Sequence, residues 1–332
     1  MIKHYNIPIF IPELACPFQC AFCNQKKISG QDLIPDKQEI INTIESHLSS
    51  FKEKKRFVNI AFFGGSFTGI PKDEQEYYLS LAQPFIKSGQ VNGIQISTRP
   101  DYINIDILKL LKKYHVNTIE LGAQSLDDEV LQKTFRGHTA DQVIESAKLI
   151  KSLGFKLGLQ MMIGLPGDTL EKTIATAKRI VELEADNTRI YPALVIKDTA
   201  MHNWYKKGTF KPLSLEEAVM QTKKILPLFL NANIKVLRIG LHPSEGLVNG
   251  DELIDGPFHL NFKEMVLTEL WADKFQDYFK INDKNTIEII VPKNEINYAI
   301  GYKAKNKNLL KQYYQSVIFI KGETFQINTN IY

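Results

Sequence analysis

The sequence predicts an α/β fold, in which a partial (β/α)6 barrel with a parallel sheet is followed by a small C-terminal α+β domain. Apolar strand-like runs alternate with amphipathic helix-like runs from residue 5 to about residue 241. This alternation is typical of parallel sheets with right-handed crossovers. The strand-like runs are apolar almost throughout, which indicates strands that are buried on both faces.

The alternating part of the chain contains seven expected strands and six expected helices. Three helices have a predicted N-cap at Asp36, Asp168 or Ser214, because short polar side chains accept hydrogen bonds from the first helical turn. Glu39 and Glu217 would complete capping boxes. The strands are expected at 7–11, 57–63, 93–98, 117–122, 155–163, 187–196 and 234–239, and the helices near 36–53, 73–88, 104–114, 139–153, 168–184 and 214–230.

The alternation stops near residue 241, where a segment rich in Gly, Pro and acidic residues predicts a boundary loop up to about residue 259. We therefore expect a core domain at residues 1–245 and a small α+β domain at 246–332. The second domain is predicted to contain helices near 259–280 and 294–313, and strands near 286–292, 315–320 and 323–328.

The composition narrows the classes of protein to consider. The chain is 44% hydrophobic and 23% charged, as in an ordinary globular protein. It has no apolar run long enough to span a membrane, and its first residues lack the cleavage site of a secretory signal. We expect a cytoplasmic protein. The net charge of +4 allows a polyanionic partner without requiring one.

The three cysteines are the most informative residues in the sequence. Cys16, Cys20 and Cys23 lie within eight residues, directly after the first predicted strand. A disulfide framework would spread cysteines along the chain and leave none over, so we expect a metal or cluster site. Thiolates are the usual ligands of iron–sulfur clusters. Three of them could hold three corners of a 4Fe–4S cluster and leave the fourth iron open to another ligand.

Further interpretations of the cysteines remain open. Structural zinc normally needs four ligands, and the nearest histidine, His4, lies twelve residues before Cys16. The three residues could also be unrelated buried cysteines, or the ligands of a cluster used only for electron transfer.

The cysteine spacing, with the aromatic Phe22 before the last cysteine, resembles the radical S-adenosylmethionine superfamily. The resemblance implies that the amino and carboxylate groups of S-adenosylmethionine bind the fourth iron and that Phe22 packs near the adenine. It also implies reductive cleavage of the cofactor to a 5′-deoxyadenosyl radical. The electron would come from a one-electron reductant such as flavodoxin or ferredoxin.

Motifs after the second and third strands extend the resemblance. Gly64, Gly65 and Ser66 stand where the family binds the methionine amino group, and glycines let a ligand approach the backbone closely. A tight turn is the alternative. Ser97 and Arg99 belong to a Ser-Thr-Arg-Pro-Asp run that resembles an element of the elongator catalytic subunit. Arg99 could instead form a structural salt bridge.

Motifs after the fourth strand resemble the elongator and coproporphyrinogen-oxidase-like branches. Gln124 and Arg136 match residues that lie close to the ribose and carboxylate of the cofactor in those branches. An arginine suits the second role, because its guanidinium offers a fork of donors to a carboxylate. His138 could be a helix cap or a surface residue.

The end of the fifth strand resembles the same branches. Gln160 stands at the place of a ribose-binding residue, and Ile163 and Gly164 belong to a strand end whose backbone flanks the adenine. Ligands of parallel β/α folds collect at the carboxyl ends of the strands, so we expect all of these residues at one site.

The resemblance favours a radical enzyme that acts on RNA, with tRNA modification as one possibility, or on another large substrate. Docking is assigned to the C-terminal domain, where lysines and tyrosines are interleaved. The first interpretation of the lysine-rich segment 301–311 is a solvated helix face, and contact with nucleic acid is the alternative. A small-molecule substrate is the alternative among enzymes. A protein that binds the cluster or S-adenosylmethionine without turnover is the alternative outside them.

Overall fold

A seven-stranded parallel sheet with helices on one face forms the larger part of the computed structural model. The predicted partial barrel with a parallel sheet is confirmed. None of the described helices is long and apolar enough to cross a bilayer. The structure describes residues 3–11, 19–24, 27–28, 33–53, 55–280 and 286–329.

The strands and helices of this part follow one another along the chain much as predicted. From one edge of the sheet to the other, the strands are β1 (Lys3–Ile11), β2 (Arg56–Gly64), β3 (Gly93–Thr98), β4 (Val116–Gln124), β5 (Lys156–Ile163), β6 (Asn187–Pro192) and β8 (Lys235–Ile239). The helices are α1 (Lys37–Ser50), α2 (Lys72–Lys87), α3 (Ile105–Lys113), α4 (Asp128–Lys133), α5 (Ala140–Ser152), α6 (Leu170–Glu182), α7 (Ala200–Lys206) and α8 (Leu215–Asn231).

Two of the three predicted N-caps lie at the first turn of a helix in the structure, and the third does not. Asp36 and Ser214 form the predicted capping boxes. Asp168 is not an N-cap, because Thr169 accepts the hydrogen bond from the Lys172 amide and α6 begins one residue later. The Asp168 carboxylate lies deeper and accepts from the Gly164 amide at 3.0 Å, bracing the end of β5.

A second, two-stranded sheet corrects two predictions. The strand expected at 187–196 is divided, because β7 (Val195–Ile196) leaves the main sheet and pairs antiparallel with β9 (Leu253–Asp255). The expected boundary loop contains β9 and the short helix α9 (Glu245–Val248). These elements are two to four residues long, too short to give a periodic pattern in the sequence.

The C-terminal part has its own three-stranded sheet. Its strands are β10 (Thr286–Pro292), β11 (Ser316–Gly322) and β12 (Gln326–Thr329), and β10 lies between the other two. They confirm the predicted α+β character. Helix α10 (Phe262–Lys274) connects this unit to the main core, because Phe262 packs in the main core and Trp271 packs in the C-terminal one. The domain boundary at 245/246 stays a prediction.

The helix expected near 294–313 is wrong in detail. It consists of α11 (Ile296–Ile300) and α12 (Lys305–Leu310), separated by a turn. Gly301, Lys303 and Ala304 all have positive φ angles in this turn. An α-helix cannot pass through such residues, so the run is broken.

Candidate cofactor site at the carboxyl ends of the strands

The loop that carries the cysteines is held from two sides by backbone hydrogen bonds. The Ala21 amide donates to the Thr134 carbonyl and the Met201 amide donates to the Ala21 carbonyl, each at 2.9 Å. The Cys23 amide donates to the Cys20 carbonyl at 3.0 Å and closes a tight turn between the two thiols. Cys16 lies outside the described residues. The fold therefore fixes the position of two of the three predicted ligands.

The cysteine loop lies in an apolar environment. Cys20 and Phe22 are buried in a cluster with Val130, Leu165 and Met201. Met201 belongs to α7, a helix that the sequence analysis missed because its seven residues span only two turns. The aromatic run Trp204-Tyr205 was the available signal, and Trp204 packs against the same cluster. This packing shields Cys20 from water.

Arg136 lies against one of the cysteines. Its Nη1 donates to Cys20 Sγ at 3.3 Å and its Nη2 donates to the Gly122 carbonyl at 2.6 Å. Its Nε is buried and has no partner within the described residues. A buried cation with an unused donor beside a thiol suits an anionic group, whether a thiolate-bound cluster or a carboxylate. The residues present therefore fit the cluster and the cofactor that the sequence suggested.

His138 is not a surface residue or a helix cap. It is buried, and the cap of α5 is Thr139. Burial lowers the pKa of His138 to about 3, with smaller contributions from the nearby Arg136 and Arg99 guanidinium groups. The imidazole is therefore neutral near neutral pH and adds no second cation to the site.

The glycines after β2 close the gap between the first two strand ends. Gly64 has φ +124°, and a Cβ there would lie 1.9 Å from the Ile11 carbonyl oxygen, so only glycine fits. The Gly65 amide donates to the same oxygen at 3.4 Å. A small cleft lined in part by Gly65, Ser66 and Ser97 opens beside this contact.

The side chains of Ser66 and Arg99 make contacts within the fold. Ser66 Oγ lies 2.8 Å from Thr98 Oγ1 and accepts from the Arg99 amide at 3.1 Å. The Arg99 guanidinium binds both carboxylate oxygens of Asp101 at 2.9 Å. This is the structural salt bridge that the sequence analysis left open. A cofactor contact by Ser66, Ser97 or Arg99 stays a prediction.

Two predicted site glutamines meet at the ends of β4 and β5. Gln160 Nε2 donates to Gln124 Oε1 at 3.1 Å. Gln124 has φ +66° and follows a bulge in β4, which turns its side chain out of the regular strand alternation. Ile163 is fully buried, and Gly164 turns the chain away from β5 with φ +71°.

A polar ladder lies behind these strand ends, on the sheet face away from the helices. Gln95 Nε2 donates to Glu120 Oε1 at 2.7 Å, and Arg189 Nε donates to Glu120 Oε2 at 3.0 Å. Asn6 Nδ2 reaches across β2 to Gln95 Oε1 at 3.1 Å. The sequence analysis expected strands buried on both faces, and Gln95 and Glu120 are indeed buried, but the side chains on this face are polar. The signal was a polar residue at alternate positions of apolar strands.

Comparison with known proteins identifies the family. The family model of the radical SAM superfamily matches residues 11–180, which is 170 of the 332 residues. The chain belongs to the radical SAM superfamily. A second model, the radical SAM C-terminal domain, matches residues 185–272. The chain is thus a radical SAM enzyme, as the cysteine spacing indicated.

Similar radical SAM proteins include two curated relatives and one solved structure. Elongator complex protein 3 of Dictyostelium discoideum is 33% identical over 53% of this chain and 34% of its own length. The tRNA uridine(34) acetyltransferase of Methanocaldococcus jannaschii is 33% identical over 42% of this chain and 27% of its own length. The archaeal Methanocaldococcus infernus Elp3, with an N-terminal deletion, has a TM-score of 0.67 at 20% identity. It covers 82% of this chain and 64% of that one.

The coverage and identity values limit which properties of the relatives can be assigned to this chain. The chain spans about a third or less of the length of the two curated relatives. The structural similarity, at 20% identity, establishes the fold alone.

Proposed function

We propose that this radical SAM enzyme holds a 4Fe–4S cluster on Cys16, Cys20 and Cys23 and uses it to act on RNA. The contact between Arg136 and Cys20 supports this proposal most directly, since it places a buried cation against a thiol. A cluster bound here would supply one electron to S-adenosylmethionine, whose cleavage gives methionine and a 5′-deoxyadenosyl radical.

The chain's own residues have distinct proposed roles in holding S-adenosylmethionine. Arg136 has an unused buried Nε donor for the carboxylate. The Gly65 backbone accommodates the amino group, because no side chain blocks the approach. Gln124 and Gln160 offer amide groups to the ribose from adjacent strand ends. Phe22 packs near the adenine.

The remaining proposed contacts with the cofactor also lie at the carboxyl ends of the strands. Ser97 borders the cleft beside Gly65. Ile163 and Gly164 would border the adenine through their backbone. Ser66 and Arg99 hold the loops after β2 and β3 together, and we propose that they shape the cofactor cleft through this bracing.

An RNA substrate is supported by the relatives and is compatible with the C-terminal surface. One relative is named for tRNA uridine(34), and it is 33% identical to this chain over 144 residues. Lys303 is exposed beside the Tyr302 ring, whereas Lys305 is paired with Glu269. A lysine next to an aromatic ring can contact a phosphate while the ring stacks on a base.

The proposal is tested with anaerobically reconstituted protein. We expect about four iron and four sulfide per chain. After reduction by dithionite or flavodoxin, S-adenosylmethionine should be converted to 5′-deoxyadenosine. Cys20→Ser removes one thiolate and should abolish both results. Stoichiometric zinc instead of iron in wild-type protein purified without oxygen would contradict the cluster.

The RNA part of the proposal uses the same reaction with unfractionated tRNA. We expect a mass change in tRNA nucleosides that is absent with Cys20→Ser protein. Production of 5′-deoxyadenosine with unchanged tRNA would refute an action on tRNA and favour a small-molecule substrate. Absence of 5′-deoxyadenosine from cluster-loaded protein would favour a binding protein without turnover.

A further inference from the structure

The segment that carries Arg136 has an unusual backbone. Phe135 has φ +55° and Gly137 has φ +75°, so the chain turns sharply on both sides of Arg136. Phe135 is 52% exposed, whereas Arg136 is 6% exposed. A bulky residue at positive φ is strained and persists only where the surrounding structure holds it. The turn points Phe135 outward and Arg136 inward.

Both ends of the contact between Arg136 and Cys20 are fixed. The amide of Arg136 donates to the Leu131 carbonyl at 3.0 Å. On the other side, the hydrogen bond from Ala21 to Thr134 joins the cysteine loop to the residues just before Arg136. The bond from Nη2 to the Gly122 carbonyl sets the rotation of the guanidinium plane. The distance from Nη1 to Cys20 Sγ is therefore set by the fold.

The guanidinium of Arg136 lacks a compensating anion within the described part of the chain. No described carboxylate forms an ion pair with it. The nearby His138 is held neutral and adds no charge of either sign. A buried, unpaired cation is strongly unfavourable. Of the two groups in contact with the guanidinium, Cys20 Sγ is the one that would carry negative charge as a ligand of the cluster.

We propose that Arg136 raises the reduction potential of the cluster through its hydrogen bond to Cys20. This inference rests on the proposed binding of a cluster by Cys20. One electron enters from an external one-electron reductant, and no bond forms or breaks. Because the reduced state carries one more negative charge, a cationic N–H donor at a ligand sulfur stabilises it more than the oxidised state. Arg136 thus acts through Cys20, by setting the potential at which the cluster accepts the electron that starts the reaction.

The test is a redox titration of the reconstituted protein, followed by the electron paramagnetic resonance signal of the reduced cluster. Arg136→Gln removes the cation, and we expect the reduced-to-oxidised ratio at a fixed potential to fall about tenfold. This corresponds to about 59 mV for one electron. Arg136→Lys keeps the charge but cannot span both Gly122 and Cys20, so a smaller fall is expected.

Gly122→Ala is an independent variant that leaves Arg136 in place. A Cβ at Gly122 would lie 2.8 Å from Arg136 Nη2, so the guanidinium must move from the position in which it contacts Cys20. We expect a fall in potential in the same direction as for Arg136→Gln. Lys133→Gln is the matched control, because it removes one exposed positive charge from the same segment without touching Cys20. Its potential should equal that of the wild type.

The outcomes separate this inference from the proposed function. Wild-type protein without a 4Fe–4S cluster would refute the proposed function. Full iron content with an unchanged potential in Arg136→Gln would overturn the tuning role and leave the cluster in place. An equal fall in Lys133→Gln would assign the effect to net charge and overturn it too. Loss of iron from all three site variants would show that Arg136 only shapes the loop.

Discussion

The two faces of the seven-stranded sheet are built on different physical principles. The face against the helices is apolar, whereas the opposite face carries the polar ladder of Asn6, Gln95, Glu120 and Arg189. Successive residues of a strand point to opposite faces, so each ladder residue has an apolar neighbour in sequence. Three adjacent pairs show the contrast: Asn6 and Ile7, Gln95 and Ile96, and Glu120 and Leu121.

The contrast between the two faces indicates how the contribution of a side chain to stability should vary with its position in the sheet. Ile7, Ile96 and Leu121 are each fully buried, so each should contribute through the apolar area it removes from water. The ladder residues range from exposed Asn6 to buried Glu120. Electrostatic interactions are strong where water is excluded and weak where it has access. We therefore expect mutational effects to be even on the helix face and graded along the ladder.

The largest effect is expected for Glu120→Ala. Burial lowers the pKa of Arg189, but the Glu120 carboxylate, with a further contribution from Tyr191, more than offsets this and raises the pKa above the ordinary value, so the guanidinium stays charged. Removing Glu120 leaves that charge unpaired, and the free energy of unfolding should fall by about 4 kcal/mol. Urea denaturation measures this loss.

Two further variants sharpen this test. Leu121→Ala, the next residue on the other face, should lower the free energy of unfolding by about 3 kcal/mol. The double variant Glu120→Leu/Arg189→Met replaces the ion pair with apolar groups and should be less destabilised than Glu120→Ala. If it is more destabilised, the ladder would owe its effect to specific hydrogen bonds and not to the unpaired charge.

The contrast also explains why the sequence predicted the sheet but not the ladder. The apolar residues of the helix face gave most strand positions to within a few residues, and β3 to the residue. Gln95 and Glu120 lie 25 positions apart and meet only because β3 and β4 pair with Ser97 opposite Glu120. A local pattern carries no information on such a contact. The same holds for Arg136 and Cys20, which are 116 positions apart.

The parts of the candidate site that could be predicted are those in which the residue types and their spacing indicate the chemistry by themselves. The cysteine spacing pointed to a family that the comparison confirmed. The part played by α7 was not predictable, because the hydrogen bond from Met201 to Ala21 links two short segments without periodicity. The individual cofactor contacts, including those of Ser97 and Gly164, stay predictions.

An intermediate effect is expected for Gln95→Met. Gln95 is buried, donates to Glu120 and accepts from Asn6, so its removal leaves Glu120 one donor short within the sheet. The free energy of unfolding should fall by about 2 kcal/mol. Ile96→Ala is the matched variant on the helix face and should lower it by about 3 kcal/mol. A loss for Gln95→Met as large as that for Glu120→Ala would contradict the expected gradient.

The smallest effect is expected at the outer end of the ladder. Asn6 is exposed and makes a neutral hydrogen bond to Gln95, for which water can substitute when the side chain is removed. Asn6→Ala should therefore change the free energy of unfolding by no more than about 0.5 kcal/mol. Its neighbour Ile7 is fully buried against the helices, and Ile7→Ala should lower the same quantity by about 3 kcal/mol. The two variants differ by one position in β1, so urea denaturation of both compares the two faces at one place in the sheet. A loss for Asn6→Ala as large as that for Ile7→Ala would exceed the loss expected for Gln95→Met, and would mean that the strength of the ladder contacts does not depend on access of water.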